Sequence, residues 1–370
     1  MKTSLKIAIL GAGNMGCAVG ADLTRKGHTV TLIKTSKSMH NENFEHLKNN
    51  QGCVEVWKVD ETFTSNIACI TEDISLVTDA DLVYIAIMTN HHEALIKKIA
   101  PFLKDGQIIM IVPGYLSTAY ILKHCPDKKL TVIEGESSPI DCRISKPGHI
   151  RVGFRNVRNP VGVYPQKDMS KIKETLDSFQ HGYEFLSSVV EAAMHNPNLI
   201  VHTVGAIMSI PRIEKTQGDY CMYWEAFTPS VWNMLECLDN EKMQILKKLG
   251  LKPIPYVEAC KHRNSLDDDR DAKEVFFEYA ASPYRAKGPL VVDSRYISED
   301  VPQGLVMLEA LGKQLGVATP VCTALIEIAT AALGRDMRAE GRTLESLGME
   351  NINKVIEDSQ TTVDDFDKSC

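Results

Sequence analysis

Asn198 and His202 stand four residues apart in an apolar stretch, a spacing that puts both on one face of a helix. Imidazole is the side chain whose ordinary pKa lets it give and take a proton near neutrality. Its neighbours Ile200, Val204, Ile207 and Met208 are apolar, so the same pattern also fits a histidine satisfied within a core. A second polar island runs Asp293-Ser294-Arg295-Tyr296-Ile297-Ser298-Glu299-Asp300-Val301-Pro302-Gln303-Gly304, soon after Lys287-Gly288-Pro289. Its charges fit chemistry or structure alike. Asp300 suits the dipole of a helix opening near Gly304, with Pro302 in the first turn, and Arg295 suits an ordinary surface ion pair.

A third constellation is local. Lys6-Ile7-Ala8-Ile9-Leu10-Gly11-Ala12-Gly13-Asn14-Met15-Gly16 sets G-x-G-x-x-G between an apolar run and a helical pattern. Gly11 makes the tight turn, Gly13 admits a pyrophosphate to the backbone and Gly16 lets helix and strand pack closely. Asn14 and Met15 then begin a helix whose N–H groups face the phosphates. About 20 residues on, an NAD site usually places an acid for the ribose 2′-hydroxyl. Here the run is Lys34-Thr35-Ser36-Lys37, and Lys34, Ser36 and Lys37 suit a 2′-phosphate. NADP is therefore the expected cofactor, with NAD left open because a basic turn can simply be solvated. Thr89 and Pro113 follow later strands of the same half and are expected to line the crevice at the strand ends.

These groups need two kinds of scaffold. Through the first 135 residues apolar runs alternate with helical patterns, as repeated βα units require. Strands are predicted at Leu5–Leu10, His28–Ile33, Ile67–Ile70, Leu82–Met88, Gln107–Val112 and Leu130–Ile133, with Ile150–Phe154 and Val161–Tyr164 extending the sheet. Helices are predicted at Asn14–Lys26, His92–Leu103 and Leu116–His124. Near Ser188 the period becomes helical, with segments Val189–Ile210, Val231–Leu249, Gly304–Leu315 and Val321–Leu333. The expectation is an α/β Rossmann-type doubly wound sheet over residues 1–187 and an all-α domain, bearing substrate and catalysis, over 188–370. The acidic tail Glu357–Cys370 reads as mobile.

Composition narrows the classes. The 370 residues carry 41 Lys plus Arg against 48 Asp plus Glu, a net −7, so no basic footprint for nucleic acid or anionic membrane is expected. No apolar run is long enough to span a bilayer, and Gly11 cuts off the short N-terminal one, so a cytoplasmic protein is expected. None of the ten cysteines forms a C-x-x-C pair; they read as reduced thiols, and His91-His92 as loop histidines without a metal.

The chain resembles the opine (octopine/nopaline) dehydrogenase family over nearly its whole length. The resemblance rests on the glycine fingerprint, on Asn198-x-x-x-His202, on Arg295-Tyr296-x-x-Glu299-Asp300-Val301-Pro302-x-Gly304, and on Tyr223-Trp224 with Thr228–Val231 and Glu236–Asp239. It implies NAD(P)H-dependent, reversible reductive condensation of a small α-keto acid with the amino group of an amino acid. It assigns His202 and Asp300 to the proton, with Asp300 orienting the ring and favouring imidazolium, and Arg295 to a substrate carboxylate; Asn198 would add a hydrogen bond. The three groups would meet over the nicotinamide. Thr203 departs from the family, where Pro commonly follows the histidine. Two other readings stand beside this one. A 2-keto acid reductase of the ketopantoate reductase type would be expected to carry a lysine in the Val189–Ile210 segment, which has none; a non-catalytic dinucleotide sensor would not need the His and Arg-Asp islands together. The apolar helices of the second half suit a homodimer.

Overall fold

The structure is a computed structural model describing residues 4–58, 61–282 and 287–360. The last ten residues of the acidic tail, and Met1–Thr3, lie outside the described residues. Two compact units emerge, Met1–Val189 and Val190–Cys370.

Strands apolar on both faces need cover on both, and they take the centre of the first unit's sheet. In chain order its strands are β1 (Lys6–Leu10), β2 (Thr29–Ile33), β3 (Cys53–Lys58), β4 (Glu61–Asn66), β5 (Cys69–Thr71), β6 (Leu82–Ile85), β7 (Ile108–Ile111), β8 (Thr131–Gly135), β9 (Ile140–Lys146), β10 (His149–Arg155), β11 (Asn159–Tyr164) and β12 (Tyr183–Phe185). Eight of them form one sheet in the order β5-β2-β1-β6-β7-β8-β11-β12. It is parallel from β5 to β8, and β11 joins β8 antiparallel. The order runs outward both ways from β1, the reversal that opens a crevice at the strand ends in doubly wound folds. Among the described residues, the α-helices lying wholly within this unit are α1 (Asn14–Arg25), α2 (Asn41–Asn49), α3 (His92–Ile99), α4 (Thr118–His124) and α5 (Met169–Phe179).

One expectation is corrected. Val161–Tyr164 does extend the sheet, within β11, but Ile150–Phe154 lies in β10 of a separate four-stranded sheet, β4-β3-β10-β9. Along β10, Ile150 and Val152 are buried whereas Arg151 and Gly153 are exposed. A strand with one apolar face cannot sit inside a doubly covered sheet; this one covers α1 instead. Two polar links fasten that cover. Asp22 on α1 accepts from both Nη atoms of Arg155, at 2.5 and 3.0 Å, and Asn14 Oδ1 accepts from the Ile144 N–H at 2.8 Å.

The second unit is helical: α6 (Val189–Met194, with Val189 the last residue of the first unit), α7 (Pro197–Met208), α8 (Ile210–Thr216), α9 (Met222–Glu225), α10 (Pro229–Lys248), α11 (Tyr256–Asn264), α12 (Ala272–Ala281), α13 (Arg295–Ser298), α14 (Val306–Leu315), α15 (Pro320–Leu333), α16 (Leu344–Leu347) and α17 (Met349–Ser359). The single helix expected over Val189–Ile210 is broken at His195-Asn196. Pro197 forces the residue before it out of the helical region, and Asn196 then caps α7, its Oδ1 accepting from the Asn198 N–H at 3.0 Å. Past His202 the helix stays regular, Thr203 Oγ1 donating back to the Leu199 carbonyl at 2.7 Å. Among the described residues no helix is long and apolar enough to cross a membrane.

Glu309 on α14 anchors this unit electrostatically. Arg338 grips its carboxylate with Nε and Nη2, each at 2.8 Å, and Thr323 Oγ1 donates at 2.7 Å. The Arg338 hydrogen bonds lead in holding the carboxyl down at about 2, against the burial that opposes them. Lys313 Nζ stays 2.9 Å from the same carboxylate, so Arg338→Ala removes two charged hydrogen bonds without stranding the charge and is expected to cost about 2 kcal/mol near pH 7. Because the folded carboxyl titrates below its unfolded value, this stabilisation is complete above about pH 4.5 and fades as pH falls toward 2. Denaturant titrations of wild type and variant should therefore differ at pH 7 and converge in acid.

Candidate active site

The carboxyl end of β1 turns through Gly11 at φ +120°, where an added Cβ would lie 2.4 Å from the Ala86 carbonyl oxygen. At Gly16 an added Cβ would lie 1.8 Å from the Gly11 oxygen. Both glycines are demanded by the fold. Gly13 differs: a Cβ there would meet only the His40 ring, at an ordinary 3.6 Å. Its openness matches a role toward a ligand. Gly13 caps α1 without any side-chain hydrogen bond, so the N–H groups that a helix start leaves over are not consumed by a capping side chain. Gly13, Asn14 and Met15 are half-buried, while the next eight residues of α1 are buried. The loop fits the pyrophosphate of a dinucleotide. The Asn14 carboxamide oxygen, however, is spent on Ile144, which leaves Nδ2 and the backbone N–H as donors for that task.

At the end of β2 the basic turn divides. Lys34 is buried, its Nζ donating to the Met39 carbonyl at 2.7 Å and lying 5.7 Å from the Phe44 ring centroid. Ser36 and Lys37 are exposed. Lys34 thus orders the turn from within, and the accessible cation is Lys37. Thr89, after β6, is buried; Pro113, after β7, follows a cis bond and opens a turn in which Tyr115 and Leu116 have positive φ. Glu134, fully buried on β8, holds that turn by accepting from the N–H groups of Leu116 and Thr118, at 2.9 and 2.6 Å. His92 is no loop histidine. It opens α3, buried, with Nδ1 2.7 Å from Ser117 Oγ. No group of three or more metal-ligating side chains occurs among the described residues.

In the helical unit the two islands converge. His202 on α7 and Asp300, ninety-eight positions later, meet with Nδ1 and Oδ2 at 2.8 Å. Asp300 makes no capping bond to the π-helical turn Val301–Leu305 that follows it. A carboxylate only accepts, so Nδ1 carries the hydrogen and the Nε2 lone pair faces outward, 2.9 Å from the Tyr223 hydroxyl. Tyr296 stacks on the imidazole, centroids 3.9 Å apart at 20°. Burial is the largest influence on the imidazole and pulls its pKa below the ordinary value. The hydrogen bond and charge of Asp300 act upward, Arg295 adds to the lowering and Glu299 opposes it. Asp300 thus favours imidazolium, as expected, but desolvation is the larger influence and the net shift is downward.

Arg295 is half exposed, with Nε 3.2 Å from the buried Glu299 carboxylate. It is an ion pair, but an anchored one whose guanidinium still reaches solvent. Asn198 is half-buried one turn before His202. Tyr223 and Tyr296 were not singled out as site residues from sequence. Tyr296 adjoins Arg295 in the polar island, whereas Tyr223 carries no periodic signal linking it to His202.

A glycine cradle in one unit and a buried acid–base pair in the other define the chain as a two-domain NAD(P)-dependent dehydrogenase. Comparison with known proteins agrees. Residues 7–162 match the ketopantoate reductase PanE/ApbA family, and residues 185–333 match the NAD/NADP octopine/nopaline dehydrogenase alpha-helical domain. Opine dehydrogenase from Arthrobacter sp. (strain 1C) is 28% identical over 360 residues, covering 95% of this chain and 97% of its own. Octopine dehydrogenase, solved with NADH and agmatine, superimposes with a TM-score of 0.76 at 17% identity, covering 95% and 98% of the two chains; it has also been solved with L-arginine and with pyruvate. Yersinopine dehydrogenase with NADP+ gives a TM-score of 0.69 at 17% identity, covering 98% and 100%. Over nearly its whole length the chain is thus similar to opine dehydrogenases, and over residues 185–333 to the family's helical domain.

Proposed function

We propose that the protein joins a small α-keto acid to the amino group of an amino acid and reduces the product to a secondary amine carrying two carboxylates, reversibly and with NADP preferred. The observation that carries this reading is the buried His202–Asp300 pair, with the half-exposed Arg295 guanidinium in the segment that supplies the carboxylate. The octopine dehydrogenase complexes with pyruvate and with L-arginine support the two substrate classes. The exposed Ser36 and Lys37 after β2, with no acid in the turn, support NADP.

A nicotinamide dinucleotide, held by the Gly11–Gly16 loop and the start of α1, supplies hydride chemistry when bound. The remaining work falls to side chains. Arg295 binds the keto-acid carboxylate through its planar fork, and Asn198 adds a polar contact. As the amine attacks the carbonyl carbon, the carbonyl oxygen must be protonated to leave as water. His202 in its charged form gives that proton, and in the reverse direction the neutral ring accepts one from the protonated secondary amine, freeing its lone pair for hydride loss. Asp300 fixes the tautomer and supports the charge whenever it develops.

The ketopantoate reductase match favours a second reading, reduction of a 2-keto acid alone, but it stops at residue 162, before the helical unit. Oxidation of NADPH and NADH is to be followed with pyruvate or 2-oxoglutarate against a panel of amino acids. A rate that rises with one amine is expected. Equal rates with and without every amine would favour simple keto-acid reduction.

A further inference from the structure

We propose that Tyr223 is a proton relay for the reaction, so that His202 reaches the reacting atom through the phenol oxygen. The inference deepens the reading above and rests on it. With Asp300 accepting from Nδ1, the only nitrogen left for chemistry is Nε2, and the Tyr223 hydroxyl stands 2.9 Å from it. Neither partner is a surface group: His202 is 6% exposed and Tyr223 8%. Tyr296 stacks on the imidazole at 3.9 Å, and the Tyr279 ring meets Tyr223 edge-on at 5.7 Å. The imidazole and the phenol are thus each backed by a further aromatic ring, while the nitrogen that must act already has a hydroxyl on it.

A phenol suits this position because it donates and accepts at once. In the oxidative direction the protonated secondary amine loses a proton to the phenol oxygen while the phenol's own proton passes to Nε2, leaving the neutral amine ready to give up hydride. The ring becomes imidazolium between Asp300 and Tyr223, and the phenol ends neutral. In the condensing direction the relay runs the other way at a separate step: Nε2 gives its proton to the phenol oxygen as the phenol gives its own to the carbinolamine oxygen that departs as water. Two protons move, and no net charge is left on the tyrosine. Direct transfer from His202 would move one and would require Tyr223 to leave Nε2.

Tyr223→Phe keeps the ring and removes the hydroxyl. We expect kcat to fall by about a hundredfold, within the range that general acid–base groups supply, with dinucleotide affinity unchanged and the thermal midpoint lowered only by the loss of one buried hydrogen bond. Rates in mixtures of H2O and D2O should give a curved, two-proton dependence in wild type and a straight line in the variant. Unchanged kcat in Tyr223→Phe, or a straight line in wild type, overturns the relay. A readout free of turnover is the 15N resonance of His202 Nε2. It should show a hydrogen-bonded nitrogen in wild type and shift in Tyr223→Phe; a wild-type nitrogen with no hydrogen bond overturns the relay even if the variant fails to fold. Should wild type reduce keto acid without any amine, the opine reading fails alone. The same isotope dependence then judges the relay, because a carbonyl oxygen must still take up a proton.

Discussion

His202→Asn is expected to lower kcat/KM by about a thousandfold, in the middle of the range for a lost general acid–base. The variant should fold, since asparagine is smaller and can still donate toward Asp300. The dinucleotide loop lies in the other unit, so cofactor affinity measured by nucleotide fluorescence should hold. The pH profile gives the sharper form of the result. Burial sets the His202 pKa below the ordinary histidine value, so the ring is neutral at and above that value. Amine oxidation needs the neutral ring, and its rate should persist as pH drops through 6.5 and fail only below. Condensation needs imidazolium and should gain as pH falls toward that same point. In Asp300→Asn the upward influences of the carboxylate vanish, so both limbs move further into acid while the maximal rate drops. Steady-state rates in both directions across pH check every part of this.

The second large effect concerns the glycine loop, where two neighbouring changes should fail differently. Gly13→Ala places a methyl in open space beside His40, at an ordinary contact distance, so the apo fold should keep its thermal midpoint. The methyl would occupy room that a pyrophosphate needs. Forcing one carbon into a filled site costs roughly 1–3 kcal/mol, or about a 5- to 150-fold loss of dinucleotide affinity. Gly16→Ala instead drives a Cβ to within 1.8 Å of the Gly11 carbonyl oxygen, which the β1–α1 junction cannot absorb. That variant should lose the native fold. Cofactor titration beside thermal unfolding separates the two outcomes, and equal damage by both would refute the division of labour drawn here.

How legible the molecule was depends on the kind of signal each part carries. The β1–Gly loop–α1 junction could be read because its strand, turn and helix are contiguous and each glycine has a separate steric reason. The small sheet could not. Cys53–Lys58 alternates buried Val54 and Val56 with polar or exposed positions, Glu61–Asn66 holds a single apolar residue, and their burial comes from covering α1, a tertiary fact invisible in a short window. The break in Val189–Ile210 was written in Asn196-Pro197, a cap followed by a first-turn proline, but the apolar run masked it. Asp300 shows the limit of local reasoning. Its place before a helix suggested a dipole role, and only the fold brings it to an imidazole ninety-eight residues away. Lys34 shows the converse: a cation read as facing the cofactor is buried in its own turn, its Nζ held by the Met39 carbonyl beside the Phe44 ring.

The central claim is most directly tested by the identity of the reduced product. The protein would be supplied with an α-keto acid, an amino acid and NADPH carrying deuterium at the transferred position, and the product examined by mass spectrometry. A secondary amine bearing one deuterium on the carbon that was the keto carbon is the expected result. A deuterated 2-hydroxy acid, formed whether or not the amine is present, would contradict the account.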